Sequence, residues 1–317
     1  MSDTPPDALR FLIIGTARSG TTLVQRLCAE LPDVWVPPET HFWEIADVAR
    51  HRFSFPLRGR DRAHFVDWMM NELRDRPLDV DPKEIITDLR SRPVRIGLWQ
   101  VFEAMVAAMS PTAGVLGEKT PSHIAWWEHF AQARPDLKFV AVIRDPRAVL
   151  RSHRTVAWGE SDAWALAERW LAHQRSIRDC ERLLGPDRCL ILRYEDLVAD
   201  TPGHHEQLAS FLGVPFEPTE LTPEQLAAHP LFPKRESWKD SATEAVTTSR
   251  IDTWRASLTE SDIAAIQRTC RAEMADLGYA LEDTGPPGEP GPNSRERVAA
   301  FRHWYQSVAA LDPLPIN

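Results

Sequence analysis

The chain has 317 residues, 43% of them hydrophobic, which is enough to bury the core of one large α/β domain or of two small domains. Its formal net charge of −9 at pH 7 argues against a general nucleic-acid-binding protein, because such a protein carries a basic face. An anionic ligand would have to be held by a local cluster of arginines, against the field of the whole protein.

The cysteines and the hydropathy pattern exclude other classes of protein. None of the four cysteines has C-x-x-C or Cys/His ligand spacing, so we predict neither disulfides nor a structural metal. Cys28 is expected to be a small buried residue rather than a nucleophile. Residues 1–10 lack a signal-peptide pattern, and no apolar run approaches the roughly 20 residues that span a bilayer. These patterns predict a soluble, cytoplasmic protein without a membrane span.

Residues 11–27, FLIIGTARSGTTLVQRL, have the pattern of a buried strand, a turn and the start of a helix. Gly15 and Gly20 bound the turn, and Leu23 and Leu27 follow at helical spacing. Converging backbone N–H groups and the positive end of the helix dipole would make this turn an anion site. The plainer alternative is a strand, a turn and a helix whose glycines have no binding role.

The spacing of the two glycines is that of a phosphate-binding P-loop, G-x-x-x-x-G. The next residues are Thr21 and Thr22 instead of Lys and Ser/Thr, and the basic residue is Arg18, inside the loop. A nucleoside triphosphatase needs the missing lysine for the β- and γ-phosphates. We therefore predict that the loop binds a phosphate-like group but does not support ordinary ATP chemistry.

A second short strand is predicted at residues 34–36, ended by Pro37-Pro38. Glu39 follows at once, at the carboxyl end of the strand, where ligands commonly bind in α/β proteins. A solvated surface group is the alternative. The next segment, about 41–110, is mostly helical in pattern and rich in aromatic residues interleaved with arginines. We interpret it as an insertion that covers the open end of the sheet and lines an acceptor pocket, or else as the core of a helical subdomain.

Three more strands end at residues with suggestive chemistry. Residues 115–118 form a predicted strand before Lys119, and Thr120-Pro121 open a helix predicted at 122–133. The run at 138–143 is the clearest strand of the chain. It ends in Arg144-Asp145-Pro146-Arg147, with Ser152 about two turns into the helix that follows. The strand at 189–194 precedes Glu195-Asp196.

The rest of the chain is predicted to be helical apart from two Pro-rich segments. We predict helices at 158–184, at 202–213 and from a capping box at Thr259 to about Leu277. Residues 214–247, a long Pro-rich segment, have the pattern of a lid. A final helix, 294 to about 311, carries an apolar stripe that must be buried on its own domain, as a lid, or on a second subunit, which would make a homodimer through this helix.

Strand–helix alternation at residues 11, 34, 115, 139 and 190 predicts an α/β fold with a P-loop-type central parallel sheet flanked by helices. The insertion at about 41–110 would cover the active site. We expect a single domain over residues 1–284, a stiff Pro/Gly linker over 285–293 and a C-terminal helix over 294–317.

Together these motifs resemble the sulfotransferases that use 3′-phosphoadenosine-5′-phosphosulfate (PAPS). The run 16–22 is similar to their 5′-phosphosulfate loop, and IRDPRAVLRSH, with Arg144 and Ser152 eight residues apart, is similar to their 3′-phosphate motif. RYEDL at 193–197 and Trp254 before a Leu-Thr helix start also fit. The segments PETHF and EKTP look most like the bacterial and tyrosylprotein-sulfotransferase branch.

The resemblance implies roles for particular residues. Glu39 matches the general base of that branch, Lys119 matches a lysine that stabilises the transferring group, and Arg18 acts with them. His41 and His123 are the alternative bases, because small-molecule cytosolic sulfotransferases use a histidine. The cofactor-binding residues implied by the resemblance are Thr16, Ala17, Arg18, Ser19, Gly20, Thr21, Thr22, Arg144, Ser152, Tyr194, Ser249 and Arg250. The family's C-terminal glycine-rich loop is not matched, and Ser249-Arg250 or the region around Ser237 is expected to replace it.

The function implied by the resemblance is in-line transfer of a sulfuryl group from PAPS, leaving PAP, without a metal ion. The expected acceptor is a hydroxyl group of a small molecule or glycoside, such as a natural product or a sugar, with an amine as the weaker choice. Two alternatives remain open: a P-loop kinase, which predicts Mg²⁺-dependent ATP turnover, and a non-catalytic nucleotide-binding protein on the same scaffold.

Overall fold

The computed structural model describes residues 9–76, 78–92, 95–110, 114–219, 221–222, 224–225 and 244–309. Most of the predicted lid at 214–247, including Ser237, lies outside these residues, as does the end of the predicted C-terminal helix beyond residue 309.

A five-stranded parallel sheet forms the centre of the molecule, in the order β2-β3-β1-β4-β5. Its strands are β1 (Leu9–Gly15), β2 (Val34–Trp35), β3 (Val115–Lys119), β4 (Lys138–Ile143) and β5 (Cys189–Arg193). All five predicted strands are confirmed. Because the strands are parallel, their carboxyl ends meet at one edge of the sheet. The strand order places β3 and β2 on one side of β1 and β4 and β5 on the other, so the chain reverses its direction of winding at β1.

Helices flank the sheet. They are α1 (Thr21–Ala29), α2 (Phe42–Arg52), α3 (Asp61–Glu72), α4 (Pro82–Ser91), α5 (Leu98–Ala108), α6 (Trp127–Ala133), α7 (Pro146–His153), α8 (Ala163–Leu184), α9 (Tyr194–Ala199), α10 (Thr201–Leu212), α11 (Glu260–Asp276) and α12 (Pro292–Ala309). Short 3₁₀ helices occupy Pro121–Trp126, Thr248–Arg250 and Thr253–Ala256. The α/β fold predicted from the sequence is thereby confirmed.

Both faces of the sheet are buried, as expected for parallel strands. Phe11 and Ile13 of β1 pack on one face with the apolar side chains of α1 and α10. Leu12 and Ile14 point to the other face and join the large cluster built by α2, α3 and α5. Alternation along β1 therefore places a separate core on each side of the sheet.

The insertion packs as core rather than as a pocket wall. Four of its aromatic side chains, Phe42, Trp43, Trp99 and Phe102, are at most 1% exposed and pack edge-to-face or tilted against one another. Of the two interpretations of this segment, the structure supports core packing: the aromatics fill the cluster that the insertion shares with Leu12 and Ile14 of β1. The residues that line the cavity at the carboxyl edge of the sheet include none from the described part of 41–110.

Two predicted helix boundaries are wrong. The helix expected from residue 158 begins at Ala163, because the Asp162 side chain accepts a hydrogen bond from Ala165 N at 2.8 Å and caps it. The helix expected at 122–133 starts as the 3₁₀ turn Pro121–Trp126 and becomes α-helical only at Trp127. By contrast, the capping box at Thr259 and the helix end at Gly213 are confirmed.

The apolar stripe of α12 lies on its own chain. Phe301 and Val308 are buried, and Tyr305 and Ser176 of α8 share a hydrogen bond of 2.7 Å between their hydroxyl groups. Burial within the domain is the first of the three alternatives for this helix. It removes the reason for expecting a homodimer through this stripe.

Within the described ranges, no helix combines the length and the apolar character needed to cross a bilayer. All four cysteines are buried and unbridged, and Cys28 is fully buried in the core, as predicted.

Candidate active site

A cavity of about 550 Å³ lies at the carboxyl edge of the sheet, where the strands end. This volume falls within the usual range for small-molecule sites. Ten of the residues predicted to act in the site line it: Ala17, Arg18, Gly20, Thr21, Thr22, Glu39, Arg144, Ser152, Tyr194 and Arg250. Motifs separated by more than 200 residues in sequence thus converge on one space.

The loop between β1 and α1 requires both of its glycines. Gly15 has φ of 153°, and a Cβ atom there would lie 2.5 Å from the carbonyl oxygen of Val142 on the neighbouring strand. Gly20 has φ of 101°, and a Cβ atom there would lie 2.4 Å from the ring of Tyr194. The loop is therefore pressed between β4 and α9, and only glycine allows so close an approach.

The loop ends as an anion cradle. Ser19 N donates to Thr16 O at 3.1 Å, which closes the turn, and helix α1 begins at Thr21 with no side chain capping its first N–H groups. Arg18 adopts the left-handed conformation, with φ of 71°, a strained geometry that is common at functional sites. The uncapped helix terminus and its dipole offer partial positive charge to a ligand.

Arg18 and Arg144 bring two like charges together at the cavity wall. Arg144 Nη1 donates to the carbonyl oxygen of Arg18 at 3.3 Å, and Arg18 Nε donates to Ser152 Oγ at 3.1 Å. Burial and the charge of Arg144 lower the pKa of Arg18, and burial lowers that of Arg144. Both guanidinium groups stay charged at neutral pH because an arginine starts from a pKa above 12.

Aromatic and acidic residues behind Arg144 hold it in place. Its guanidinium carbon lies 4.0 Å from the centroid of the Tyr194 ring, and its Nη2 donates to the carbonyl oxygen of Arg250 at 3.1 Å. Glu195 Oε1 accepts from Asp145 N at 3.0 Å, and Glu195 Oε2 accepts from the hydroxyl of Tyr279 at 3.1 Å. Arg144 is thus held by the Tyr194 ring and the Arg250 carbonyl, and Glu195 holds the backbone of the next residue, Asp145.

Glu39 lies between two cationic side chains. Lys119 Nζ, at the end of β3 and fully buried, donates a hydrogen bond to Glu39 Oε1. His41 Nε2 lies 3.3 Å from Glu39 Oε2. Both oxygens of the Glu39 carboxylate thus face a basic side chain.

His41 is itself held between two carboxylates. Its Nδ1 lies 2.8 Å from Glu44 Oε1. Burial disfavours the charged imidazole, but its hydrogen bonds to Glu39 and Glu44 outweigh burial and raise the pKa of His41 to about 9. His41 therefore carries a positive charge at neutral pH and orients Glu39. It does not act as a base in that state.

His123, the other alternative base, belongs to a buried network away from the cavity. Its Nδ1 lies 3.0 Å from Glu118 Oε2, and Glu118 Oε1 accepts from the hydroxyl groups of Thr40 at 2.8 Å and Thr120 at 2.6 Å. Glu118 and His123 have no exposed surface. This network ties the segment that carries Glu39 to the strand that carries Lys119.

Four predicted site residues do not line the cavity. Thr16 and Ser19 are fully buried within the loop, and Lys119 is fully buried behind Glu39, to which it donates a hydrogen bond. Ser249 is exposed, and its N–H donates to Thr247 Oγ1 at 3.2 Å. The backbone carbonyl of its neighbour Arg250 contacts Arg144 instead.

Sequence reasoning missed six polar or aromatic residues of the cavity wall: Arg151, Thr155, Trp158, Glu244, Thr247 and Thr253. Arg151 could have been found, since it precedes Ser152 in the motif and lies one helical turn before Thr155. The side chain of Trp158 is 51% exposed at the cavity, and no spacing in the sequence indicated it.

A sequence model of the sulfotransferase family matches residues 11–218. The carbohydrate sulfotransferase 5 of Mus musculus is 29% identical over 86% of this chain and 81% of its own length. The protein-tyrosine sulfotransferase of Drosophila melanogaster is 23% identical over 93% of this chain, which spans only 57% of that protein. The sulfotransferase domain of the Synechococcus PCC 7002 olefin synthase shares the fold, with a TM-score of 0.53 and 20% identity over 95% of this chain and 97% of that one.

Proposed function

Because the chain belongs to the sulfotransferase family, we propose that it transfers a sulfuryl group from PAPS to a hydroxyl group of a small-molecule or glycoside acceptor. The observation that carries this proposal is the convergence of Arg18, Arg144 and Ser152 on the cavity that Glu39 also lines. Cationic side chains and a carboxylate within one space are what transfer of an anionic group to a hydroxyl requires.

The residues of the cavity wall fit a ligand with two separate anionic groups. Arg144 Nε at the cavity wall and Ser19 Oγ within the loop are buried and have no hydrogen-bond partner among the described residues. Orphaned polar atoms of this kind are costly unless a ligand satisfies them. We propose that the loop 16–22 holds the 5′-phosphosulfate and that Arg144 with Ser152 holds the 3′-phosphate, with Tyr194 and Arg250 supporting Arg144. When bound, PAPS supplies the sulfuryl group.

Glu39 acts as the general base in this proposal. Its carboxylate takes the proton of the acceptor hydroxyl as the acceptor oxygen becomes nucleophilic, a contribution of about 10²- to 10⁴-fold in rate. Lys119 and His41 hold the carboxylate in place from opposite sides.

Lys119 and Arg18 stabilise the charge that develops during transfer. Both are positively charged, and the low exposure of Lys119 strengthens its field because water screens it little. The proposal includes no metal ion, so chelation with EDTA should leave turnover unchanged.

A hydroxyl acceptor is supported by the chemistry of the relatives, since sugars and tyrosine both carry hydroxyl groups. Leu23, Pro121 and Val246 add apolar surface to the cavity. We propose that the acceptor enters beside them and Glu39. We also propose that residues 1–284 form one catalytic domain in the cytoplasm and that the Pro/Gly segment predicted at 285–293 leads into α12, which begins at Pro292.

Two measurements test the proposal. Calorimetry should show binding of PAP, and incubation with PAPS and a panel of hydroxylated acceptors should release PAP in an acceptor-dependent way. Failure of both experiments would rule the proposal out. Mg²⁺-dependent ATP turnover would favour a kinase, and PAP binding without turnover on any acceptor would favour a binding protein.

A further inference from the structure

Two histidines reach the anion loop from behind the cavity. His173 of α8 places Nδ1 3.1 Å from Thr16 Oγ1. His153, at the end of α7, donates from Nε2 to the carbonyl oxygen of Ala17 at 3.1 Å. Both imidazoles are at most 3% exposed, and neither is among the residues that line the cavity. They therefore contact the loop on its protein side and hold its first two residues.

The C-terminal helix α12 covers His173. The rings of Phe301 and Tyr305 lie with their centroids 6.2 and 5.8 Å from that of His173. The hydroxyl of Tyr305 shares a 2.7 Å hydrogen bond with Ser176, one helical turn beyond His173 on α8. The position of His173 is thus set by α12 as well as by α8.

The same helix also contacts His153 indirectly, through Glu160. Arg297 Nη1 lies 3.0 Å from Glu160 Oε1, and the backbone N–H of Glu160 donates to His153 Nδ1 at 3.1 Å. With Nδ1 accepting and Nε2 donating, the tautomer of His153 is defined by its partners. Ser294 Oγ donates to Asp162, the residue that caps α8, at 2.6 Å. One helix therefore supports both histidines.

Both histidines are neutral at physiological pH. Burial, reinforced by the charge of Arg169, lowers the pKa of His173 to about 3, and burial lowers that of His153 to about 4. A neutral imidazole adds no charge to the loop. Its contribution is to fix the geometry of Thr16 and Ala17 through directional hydrogen bonds.

We propose that α12 is a positioning element for the anion loop, acting through the positioning residues His153 and His173. The helix lies outside residues 11–218, which match the family model. The inference rests on the proposed function only in taking the loop as the site of the phosphosulfate group. A loop that is already held by residues on its protein side needs less ordering when it binds an anion. Its affinity for the anion therefore depends on residues that do not contact the ligand.

The test compares variants of the full-length protein. His173→Leu removes the hydrogen bond to Thr16, whereas His173→Asn keeps a polar atom near the position of Nδ1. Arg297→Ala breaks the contact to Glu160. Arg302→Ala is the matched control, because Arg302 lies on the same helix and pairs with Glu168 of α8 at 2.6 Å but contacts neither histidine nor Glu160 in the described structure. The side chains of Arg297 and Arg302 are similarly exposed, at 55% and 59%.

Two readouts decide the outcome. PAP affinity by calorimetry should fall about three- to tenfold for His173→Leu and Arg297→Ala, the effect of losing about one hydrogen bond, and should stay within about twofold for His173→Asn and Arg302→Ala. Hydrogen exchange of the amides of residues 15–22, measured without ligand, should accelerate in the first two variants only. In turnover, the KM for PAPS should rise while the KM for the acceptor is unchanged.

The inference is overturned if His173→Leu and Arg297→Ala match Arg302→Ala in both PAP affinity and loop exchange. Should His173→Leu fail to fold, Arg297→Ala still decides, because its side chain is exposed. If the wild-type protein neither binds PAP nor releases it from PAPS, the proposed function fails, and loop exchange alone then tests whether α12 positions the loop.

Discussion

The Nε atom of Arg18 donates a hydrogen bond to Ser152 Oγ across 134 residues of sequence, at 3.1 Å. Arg18 lies in the loop after β1 and Ser152 in the helix after β4. Their contact joins two anion-binding motifs into a single polar wall, with Arg144 beside them. Two arginines at such a wall repel each other, and an anionic ligand would relieve that repulsion.

Replacing Arg144 by alanine is expected to weaken PAP binding by about 10- to 100-fold, the range for losing a hydrogen bond to a charged group. If Arg144 reads the 3′-phosphate, the affinity for adenosine 5′-phosphate should change by less than about threefold. Calorimetry with the two nucleotides measures both effects. Arg154→Ala is the control, because Arg154 pairs with Asp262 outside the cavity wall. Equal losses for the two nucleotides would contradict the assignment.

Replacing Glu39 by glutamine should lower kcat by about 10²- to 10⁴-fold, because the amide cannot accept the proton of the acceptor. The change preserves size and a hydrogen-bond acceptor for Lys119, so PAP affinity should stay within about twofold. Steady-state kinetics and calorimetry on the same preparation separate the two quantities. Glu44→Gln, which alters the far side of His41, serves as the control and should reduce kcat much less. Full activity in Glu39→Gln would remove Glu39 as the base.

Replacing Gly20 by alanine should destabilise the protein and abolish tight PAP binding. Alanine at φ of 101° is strained, and its Cβ would collide with the Tyr194 ring, which is stacked on Arg144. Gly213→Ala tests backbone strain alone, because φ there is 77° and the space around it is open. Urea unfolding should show Gly20→Ala to be less stable than Gly213→Ala by about 1–3 kcal/mol, the cost of overpacking. Equal stability would show that Tyr194 moves aside freely.

The charge of His41 predicts a loss of stability at alkaline pH. Its pKa is about 9 in the folded protein and about 6.5 in the unfolded chain, so the folded state binds the proton more tightly. The resulting stabilisation is complete below pH 6.5 and is lost as the pH rises to about 9, with an upper limit of about 3 kcal/mol. Urea unfolding of wild type and His41→Gln between pH 6 and 10 measures it. The two curves should converge above pH 9, and parallel curves would contradict the prediction.

His153 and His173 predict the opposite dependence at acidic pH. Their pKa values in the folded protein, about 4 and about 3, lie below that of an unfolded histidine, so the unfolded chain binds more protons as the pH falls. Stability should therefore decline from about pH 6.5 towards pH 4. The slope of unfolding free energy against pH gives the number of protons taken up on unfolding. In His173→Asn this number should be smaller by about one over this range. An unchanged slope would show that His173 does not titrate on unfolding.

The elements that carry the site could be predicted because their signals are local. The apolar run at residues 11–14, followed by Gly15 and Gly20, predicts a strand and a turn from a few neighbouring residues. The strand ending at Arg144 is equally clear, since a parallel strand buried on both faces has no polar positions to confuse the pattern. Lys119 ends β3, and Glu39 follows β2 after Pro37-Pro38. Since parallel strands end at a common edge, the proximity of these two residues was also within reach of the sequence.

The remaining features depend on contacts between distant segments. Glu39 and Glu44 stand close to His41 in the sequence, but the sequence does not show that burial would bring both carboxylates onto its ring. Nothing near His173 indicates that it supports Thr16. The sequence showed the apolar stripe of α12 but not the residues that cover it. An amphipathic pattern indicates that a helix face is buried, but it does not indicate which residues it packs against. The aromatics of the insertion posed the same problem and proved to be core.

The sequence by itself determined the strands, the anion loop, the spacing of Arg144 and Ser152 and the position of Glu39 after the second strand, because each depends on backbone geometry within a few residues. Only the tertiary structure decided that Arg18 would bond Ser152, that Lys119 and His41 would enclose Glu39, and that α12 would lie behind the loop. Those outcomes arise from packing and burial, and the free energy of burying a charge or a ring depends on neighbours that are remote in sequence.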